Sequence, residues 1–496
     1  MQNKFKNNLL LVIISALCTG ISMQPLSLGF LAWFSLVPLF YVLNQSNNNY
    51  KNILAYSFLW GFVYHIIVVF WLLFNIGMPE VFGSTKVLGS ITMFVVVLIL
   101  SFNTILIGIV WYRLKTKYPS IGLVLFPVTW VSIEFVRSYG FLGFPWISIA
   151  NSQIDYLLLI QNAEITSIYG ISFWLVLINV FIYSFIFINK HLKSIIILVF
   201  IAVFPWITGF ILFDKSNNSI QENQSLSITS IQPNILLEEK RSGVRFTDNN
   251  KRIIVRNFLL DKVKNYIVDS DLVLLPESSL QGSPMDIPEN KYLLFGTTIR
   301  ENNNITYNSS VLYSNAGMDN VYHKKQLVPM VEYIPLSEFF PSLREFTSGE
   351  ENTVFNINDF NFIAPICFES TFPHLNRKLI NDADNIDAII YLVNDGWYIN
   401  APQPQQHSRQ SIFRAIENRK PVIRCANTGI SMHINQNGEV VDQIKLNQAG
   451  VLEDIKIYKN KNKTFYTRFG NVFALMLFIL NIVLLIRSFF IKENNE

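Results

Sequence analysis

Charged residues are scarce in this chain of 496 residues: Asp, Glu, Lys and Arg make up 15% of it, whereas 51% of the residues are hydrophobic. Soluble domains carry about 25% charged residues. This shortage excludes a single soluble globule over the whole length. We therefore expect part of the chain to be surrounded by lipid.

An excess of basic charge is also missing, since 39 Lys and Arg stand against 35 Asp and Glu. They do not gather into the basic stripe that a nucleic-acid interface requires, so we expect no nucleic-acid partner. Cysteine is rare as well. Cys18, Cys367 and Cys425 cannot all pair, and two of them lie in apolar runs, which excludes a disulfide-rich scaffold.

Long apolar runs are what the sequence has instead. A helix of about 20 mostly apolar residues crosses the ~30 Å hydrocarbon core of a bilayer. The runs predict about eight transmembrane helices, at residues 8–24, 26–43, 52–75, 87–112, 119–136, 163–189, 192–213 and 469–489. Polar and small residues interrupt the first run. We interpret it as a signal-anchor, because the chain stays mostly apolar after it and no cleavage site precedes a polar start.

Basic residues beside these runs predict the orientation, because positively charged loops stay in the cytoplasm. With the N-terminus inside, the inner ends hold Lys4, Lys6, Lys51, Arg113, Lys115, Lys117, Lys190, Lys193, Arg487 and Lys492, and the short outer loops hold only Lys86 and Arg137. This asymmetry predicts a membrane domain with seven helices (1–213), an outer domain (214–468), and a last helix with a short cytoplasmic tail (469–496).

The outer block has a different pattern from the membrane part. Short β-branched runs occur at 226–232, 271–277, 292–299, 360–369, 388–395 and 420–429. Helical stretches with charges on one side occur between several of them, at 249–268 and 406–419. Buried strands interleaved with helices indicate a layered α/β enzyme domain, in which functional residues follow the strands.

Three residues at strand ends are candidates for chemistry. Cys367 lies near the end of the strand-like run 360–369. Its thiolate would lie there beside backbone N–H groups, although a buried inert cysteine is the commoner case. Glu277 ends an apolar run and could be a desolvated base or simply a turn residue. Lys324 precedes a short apolar strand and would more often be a surface lysine. Together, a base, an ammonium group and a thiol on three separate strand ends are what amide chemistry by a thiol requires.

Many short segments support one family resemblance. In the membrane part they are Gly143-Phe144-Pro145-Trp146 and Asn151-Ser152-Gln153. In the outer block they are Ile231-Gln232-Pro233-Asn234, Leu275-Pro276-Glu277, Tyr307-Asn308-Ser309, Tyr322-x-Lys324-x-x-Leu327-Val328-Pro329-x-x-Glu332-Tyr333-x-Pro335, Cys367-Phe368-Glu369, Asn394-Asp395-Gly396-Trp397-Tyr398, Pro404-x-Gln406-His407, Arg414-Ala415-x-Glu417-x-Arg419 and Arg424-x-x-Asn427-x-Gly429. In this order and spacing, they resemble the nitrilase superfamily and, within it, the apolipoprotein N-acyltransferases of bacterial cytoplasmic membranes.

The resemblance implies a fold and a reacting triad. The fold is a polytopic α-helical membrane domain of about eight transmembrane helices, joined to an extracytoplasmic nitrilase-like domain, an α-β-β-α sandwich. The catalytic glutamate falls on Glu277, the lysine on Lys324 and the nucleophile on Cys367. The backbone N–H of Phe368 is expected to help Lys324 hold the oxyanion.

The resemblance also implies supporting residues. Glu332 is expected to orient or neutralise the catalytic lysine, Glu369 to act near the nucleophile, and Trp397 to line the acyl pocket. For these three, a structural network or a core aromatic remains an equal alternative. Tyr333 belongs to the same motif as Glu332. Residues 335–349 form a shorter apolar arm than the family resemblance leads us to expect.

The implied activity is acyl transfer from a membrane phospholipid, phosphatidylethanolamine or a similar lipid, through a cysteine thioester. The acceptor is the α-amino group of the N-terminal S-diacylglyceryl-cysteine of apolipoproteins. We expect a monomer in the bacterial inner membrane, with the catalytic domain in the periplasm and with no cofactor and no metal. Two alternatives stay open: a membrane-anchored amidase that hydrolyses small amides, and a transporter or scaffold whose outer domain only binds ligand.

Two smaller expectations concern buried polar groups. Glu134 and Arg137 lie on adjacent turns of the fifth apolar run, and we expect them to pair, because an unpaired charge in hydrocarbon is costly. A contact with a lipid headgroup is the alternative. Cys425 is predicted to be reduced and buried, since a disulfide with Cys367 would silence the nucleophile.

Overall fold

The computed structural model describes residues 2–45, 49–74, 85–188, 190–217, 224–236, 249–282, 284–301, 305–329, 331–333, 346–383, 385–398 and 402–491. The chain divides into two compact units. One contains residues 1–73, 82–213 and 471–496, and we call it the membrane unit. The other contains residues 74–81 and 214–470, and we call it the α/β unit.

The α-helices in chain order are α1 (Gln2–Ser22), α2 (Val37–Gln45), α3 (Tyr50–Val69), α4 (Thr85–Lys117), α5 (Leu125–Arg137), α6 (Leu157–Ile160), α7 (Ala163–Phe187), α8 (Leu192–Asn217), α9 (Asn249–Tyr266), α10 (Pro373–Asn381), α11 (Gln403–Asn418), α12 (Phe465–Phe469) and α13 (Val472–Phe490). Helices α1–α8 and α13 belong to the membrane unit, and α9–α12 belong to the α/β unit.

Six helical segments of the described chain are long and apolar enough to cross a bilayer: Phe5–Ser22, Tyr50–Phe74, Gly89–Lys117, Ala163–Phe187, Leu192–Ser216 and Val472–Phe490. They coincide with six of the eight predicted spans. The run 26–43 instead forms a 3₁₀-helix, Gly29–Trp33, followed by α2. The run 119–136 yields only the 13 residues of α5, about 20 Å at 1.5 Å per residue. The count of eight spans therefore stays a prediction.

Glu134 on α5 is buried and fully bonded within the membrane unit. Its Oε1 accepts hydrogen bonds from Trp130 Nε1 at 3.1 Å and from the backbone N–H of Ile149 at 3.0 Å, and its Oε2 accepts one from Ser148 Oγ at 2.9 Å. Arg137 Nη2 lies 3.8 Å from Oε1. The predicted pairing of Glu134 with Arg137 is confirmed, and the carboxylate also joins α5 to the segment around residue 148.

Two six-stranded sheets form the α/β unit, with strand orders β12-β1-β2-β3-β4-β5 and β11-β10-β9-β8-β7-β6. The strands are β1 (Ser225–Gln232), β2 (Leu272–Leu274), β3 (Tyr292–Arg300), β4 (Thr306–Ser314), β5 (Gly317–His323), β6 (Phe355–Ile357), β7 (Phe360–Ile363), β8 (Ala388–Val393), β9 (Val422–Ala426), β10 (Ser431–Ile434), β11 (Val440–Ile444) and β12 (Gly450–Tyr458). Strands β1–β2–β3 and β7–β8–β9 run parallel.

Helices cover the sheets in layers. Leu259, Leu260 and Val263 of α9 share a hydrophobic core with residues of β1–β4. Helix α11 packs on β9, and β9 in turn packs against β1 of the other sheet. Strands β2, β8 and β9 are buried at every position, as strands covered on both faces must be. The predicted α-β-β-α sandwich is therefore the observed fold, and all six strand-like runs of the sequence contain strands.

Candidate active site

Glu277, Lys324 and Cys367 come from three separate strand ends of the α/β unit. Glu277 lies three residues after β2, Lys324 directly follows β5, and Cys367 lies four residues after β7. Lys324 Nζ is 3.6 Å from Glu277 Oε1. The Cys367 thiol lies close enough to interact electrostatically with both groups. The fold thus brings together the three residues that the sequence singled out.

A close approach between chain segments positions Glu277. A Cβ atom on Gly296 of β3 would lie 2.4 Å from the Glu277 Cα, so only glycine fits at this point. The Gly296 N–H donates to the Pro276 carbonyl at 3.2 Å. The glutamate is thereby held against β3, where its side chain is enclosed by protein.

Glu277 is a buried carboxyl group whose two oxygens differ in their hydrogen bonding. Its Oε1 accepts a hydrogen bond from Asn308 Nδ2 at 2.8 Å. Its Oε2 has no hydrogen-bond partner among the described residues. Burial raises the pKa of Glu277, although Lys324 opposes this, and Glu332 raises it further. A carboxylate with a raised pKa and a free oxygen beside a thiol is suited to accept a proton.

Lys324 is clamped by Glu332. The ammonium group lies 2.9 Å from Glu332 Oε1 and 2.8 Å from Oε2, with only 1% of its side chain exposed. Burial alone would lower its pKa, but Glu332 and Glu277 outweigh burial and raise the pKa above its ordinary value. Glu332 also accepts from the backbone N–H of Val328 at 2.9 Å. The lysine therefore stays charged and immobile, as an oxyanion-stabilising group must.

Cys367 opens a 3₁₀ turn, Cys367–Thr371, with a φ of +52°. Left-handed backbone costs a non-glycine residue about 1–2 kcal/mol and is typical of strained functional positions. Part of the residue remains exposed. Burial, with Glu277 next, raises the pKa of the thiol well above its ordinary value, while Lys324 and the Asn394 N–H lower it. The resting group is a thiol that needs a base.

Glu369 joins the two loops that carry Lys324 and Cys367. Its Oε1 accepts hydrogen bonds from Tyr322 Oη at 2.8 Å and from the N–H groups of Lys325 and Gln326 at 2.8 and 3.1 Å. Its Oε2 accepts from the Ile366 N–H at 2.7 Å. Burial raises the pKa of Glu369. These contacts are those of a structural polar network, one of the two roles that the sequence left open.

The remaining predicted residues lie around this network. Phe368 is buried, with its ring 4.9 Å from that of Phe372 in an edge-on arrangement. Trp397 lies in a 3₁₀ turn after β8 and is partly exposed. Tyr333 forms an isolated bridge with Pro329. Their roles stay predictions, and most of the predicted apolar arm, residues 335–345, lies outside the described residues.

Sequence reasoning missed the role of Asn308. Its amide donates to Glu277 Oε1 and to Glu332 Oε1, both at 2.8 Å, and so holds the two carboxylates around the lysine. The backbone oxygen of Asn308 also accepts from the Lys324 N–H at 2.8 Å. Its place in the segment Tyr307-Asn308-Ser309 was a signal, but only the pairing of β4 with β5 puts it opposite Lys324.

A second missed group lies on the other side of the nucleophile. His407 Nδ1 is 2.7 Å from Asp395 Oδ1, and Arg424 Nη2 is 2.8 Å from Asp395 Oδ2. Among the described residues, ligand atoms of Cys367, Asp395 and His407 lie within 4.8 Å of one another, which is a candidate metal cluster. The carboxylate and the imidazole are already bonded to each other, so the sequence expectation of no metal is left as a prediction.

The three cysteines are free, and Cys425 is buried. Its Sγ donates to the Ile231 carbonyl at 3.5 Å. Burial raises the pKa of Cys425 to about 12. The prediction of a reduced, buried Cys425 is confirmed, and its thiol is far from reactive.

Comparisons with known proteins match both units of the chain. Residues 15–181 match the model of the apolipoprotein N-acyltransferase N-terminal domain, and residues 287–454 match that of the carbon-nitrogen hydrolases. The chain is 25% identical to apolipoprotein N-acyltransferase 1 of Treponema denticola, covering 100% of this chain and 99% of the relative. It is 27% identical to apolipoprotein N-acyltransferase of Thermotoga maritima, covering 99% and 95%. With one model in each unit and matches along the whole length, the chain is similar throughout to the apolipoprotein N-acyltransferases.

Proposed function

We propose that this acyltransferase moves an acyl chain from a membrane phospholipid to the α-amino group of the N-terminal S-diacylglyceryl-cysteine of apolipoproteins. The observation that carries the proposal is the buried cluster of Glu277, Lys324 and Cys367, with a carboxylate oxygen left free beside the thiol. The full-length similarity to proteins named apolipoprotein N-acyltransferase supports the substrates.

In the first half-reaction, Glu277 takes the proton of the Cys367 thiol, and the thiolate attacks the ester carbonyl of the phospholipid. Lys324 and the Phe368 N–H stabilise the resulting oxyanion. The C–O bond of the ester breaks, and Glu277 returns the proton to the leaving alkoxide. The products are a lysophospholipid and a thioester on Cys367.

In the second half-reaction, the free amine of the diacylated cysteine attacks the thioester. Glu277 accepts the proton that the amine loses, the C–S bond breaks, and the thiolate of Cys367 takes the proton back. The product is an N-acylated lipoprotein. The raised pKa of Glu277 suits both halves, because the group must give up its proton as readily as it accepts it.

We further propose that residues 214–468 perform this chemistry on the periplasmic side of the bacterial inner membrane. Residues 1–213 and 469–496 would hold the enzyme in the bilayer. The distribution of Lys and Arg along the sequence supports the orientation, and the apolar helices support the membrane location. Hydrolysis of small amides is not favoured, because it gives no role to the membrane unit.

The test uses the purified full chain in detergent with phosphatidylethanolamine that carries a labelled acyl chain. Label should appear on the wild-type protein, be released by hydroxylamine, and pass to a diacylated lipopeptide with a free amine. Cys367→Ala should take up no label, and the matched variant Cys425→Ala should behave like wild type. A folded wild-type protein that takes up no label would refute the proposal, and turnover of small amides would then favour the amidase.

A further inference from the structure

Two groups of residues contact Cys367. One is the Glu277–Lys324 cluster, and the other contains His407 and Asp395. On the other side, His407 Nε2 lies 3.1 Å from the backbone oxygen of Cys367. His407 Nδ1 lies 2.7 Å from Asp395 Oδ1. Both side chains are 1% exposed. A buried imidazole thus lies between Asp395 and the backbone of the reacting residue.

Arg424 on β9 completes this group. Its Nη2 lies 2.8 Å from Asp395 Oδ2, and none of its side chain is exposed. Burial would raise the pKa of Asp395, but His407 and Arg424 outweigh burial and lower it. Asp395 therefore remains a carboxylate: its Oδ2 accepts from Arg424, and its Oδ1 accepts from His407 when Nδ1 carries the proton. Buried charges keep such an arrangement only when they are paired in good geometry.

The His407 ring connects these elements in either tautomer. With the proton on Nε2, the ring donates to the Cys367 carbonyl, and Nδ1 accepts from Arg424 Nη2 at 2.9 Å. With the proton on Nδ1, the ring donates to Asp395, and Nε2 accepts from the Ser370 hydroxyl at 3.0 Å. Ser370 belongs to the same turn as Cys367. The turn is therefore anchored to the imidazole whichever nitrogen carries the proton.

The segment that carries Asp395 also contacts the sulfur. The backbone N–H of Asn394 hydrogen-bonds to the Cys367 thiol group. Ile366 and Leu392 form a parallel bridge that brings the end of β8 beside the cysteine turn. Residues 394 and 395 therefore act on the cysteine turn at two points: the Asn394 N–H contacts the sulfur, and Asp395 contacts the His407 ring, which lies beside the Cys367 carbonyl and Ser370.

We propose that His407 and Asp395 are positioning residues, which hold the left-handed backbone of Cys367 so that Sγ stays against the Asn394 N–H and within reach of Glu277. This inference deepens the proposed function and rests on Cys367 being its nucleophile. A strained φ persists only where the surrounding contacts over-determine it. Without the imidazole, the turn can relax, and the sulfur moves away from the donor that favours its thiolate.

The experiment measures the rate at which iodoacetamide alkylates Cys367 as a function of pH, read on its own peptide by mass spectrometry in the full chain. Glu277, Lys324 and Asp395 all act on the thiol and are unchanged in His407→Ala. We expect the profile of His407→Ala to shift to higher pH, because the thiolate loses its Asn394 contact. Acyl transfer should fall about 100-fold, with KM for phospholipid unchanged, as expected from a misplaced reacting atom.

Two further variants separate positioning from general damage. His407→Gln keeps an N–H near the place of Nε2 and should recover part of the activity. Gly429→Ala leaves His407 in place, but its Cβ would lie 2.5 Å from Asp395 Oδ2 and must displace that carboxylate. It should shift the alkylation profile in the same direction as His407→Ala. His433→Gln, a partly buried histidine on β10, is the matched control and should match wild type.

Wild-type alkylation and turnover in folded His407→Ala would overturn the proposal. A lower melting temperature with an unshifted alkylation profile would also overturn it, since that result describes a purely structural histidine. If His407→Ala does not fold, His407→Gln and Gly429→Ala decide by the same criteria. Alkylation requires no acyl donor, so a wild-type protein without acyl label would refute the proposed function while this test would still report on His407.

Discussion

Glu134 of the membrane unit and Glu277 of the α/β unit are both buried carboxyl groups, yet their surroundings differ. Both oxygens of Glu134 accept hydrogen bonds, from Trp130, Ser148 and Ile149. Glu277 accepts one hydrogen bond from an amide, that of Asn308, and its side chain otherwise contacts the Cys367 thiol. One carboxylate is fully satisfied, and the other is left partly unsatisfied beside a thiol.

This difference in hydrogen bonding distinguishes a buried carboxylate with a structural role from one with a catalytic role. An unsatisfied buried acceptor costs stability, so a fold retains one only where something else requires it. Glu369 supports this interpretation from within the α/β unit: it accepts four hydrogen bonds and follows the pattern of Glu134. The number of bonds a buried carboxylate makes thus indicates its role better than its burial does.

The sharpest test of this contrast is Glu277→Gln. Removing the base should lower the rate of thioester formation about a thousandfold, within the range of general-base contributions. The melting temperature should change less than in Glu134→Gln, because Oε2 has no hydrogen-bond partner among the described residues and Lys324 keeps Glu332 as a counter-charge. Single-turnover acylation with labelled phospholipid measures the rate, and thermal unfolding in detergent measures the stability. A variant that unfolds as much as it loses activity would contradict the distinction.

Glu134→Gln should show the opposite profile. The amide cannot accept on its NH₂ group and leaves Arg137 without its counter-charge, so we expect a loss of about 3 kcal/mol in the free energy of unfolding. The folded fraction should acylate at the wild-type rate, because the residue touches no reacting atom. Thermal unfolding beside the same single-turnover assay checks both. Loss of activity at unchanged stability would assign Glu134 a functional role.

Asn308→Ala should change the pH dependence. The Asn308 amide stabilises the charged form of Glu277, so its removal raises the pKa of that group further. Activity requires deprotonated Glu277 and is lost as the pH falls through its raised pKa, so the acid limb of kcat/KM should move to higher pH. At a mildly acidic pH the variant should be about tenfold slower, the effect of raising the pKa of the base by about 1. Asn356→Ala, an exposed residue of β6, is the control and should leave the limb in place.

Cys425→Ala should have the smallest effect. Its thiol is buried, free and far from ionised, since burial raises its pKa to about 12. We expect acylation within twofold of wild type and a loss of about 1 kcal/mol in stability, the usual cost of a point substitution. Acyl label that decreased with Cys425 and not with Cys367 would reverse the assignment of the nucleophile.

Local patterns explain why much of the fold could be predicted. Apolar runs of spanning length and short β-branched runs are properties of neighbouring residues. Six helices long and apolar enough to span a bilayer, and strands within all six strand-like runs, lie where the sequence indicated them. The start of the helix in the fifth apolar run, residues 119–136, could not be predicted from hydropathy. Hydropathy treats residues 119–124 as helix, whereas packing of Gly122 against Lys115 leaves no room for a larger residue and α5 begins only at Leu125.

The sequence by itself determined that the chain enters a membrane and that an α/β domain follows. It also identified Glu277, Lys324 and Cys367 as the residues to examine. Hydropathy, strand periodicity and motif order depend only on the order of residues along the chain, so they can be read without a structure. Only the tertiary structure decided which oxygen of Glu277 stays free, that Asn308 bridges two carboxylates, and that His407 reaches the carbonyl of Cys367. These are contacts between residues 24 to 40 positions apart. They arise when strands pair and sheets stack, and no local pattern encodes them.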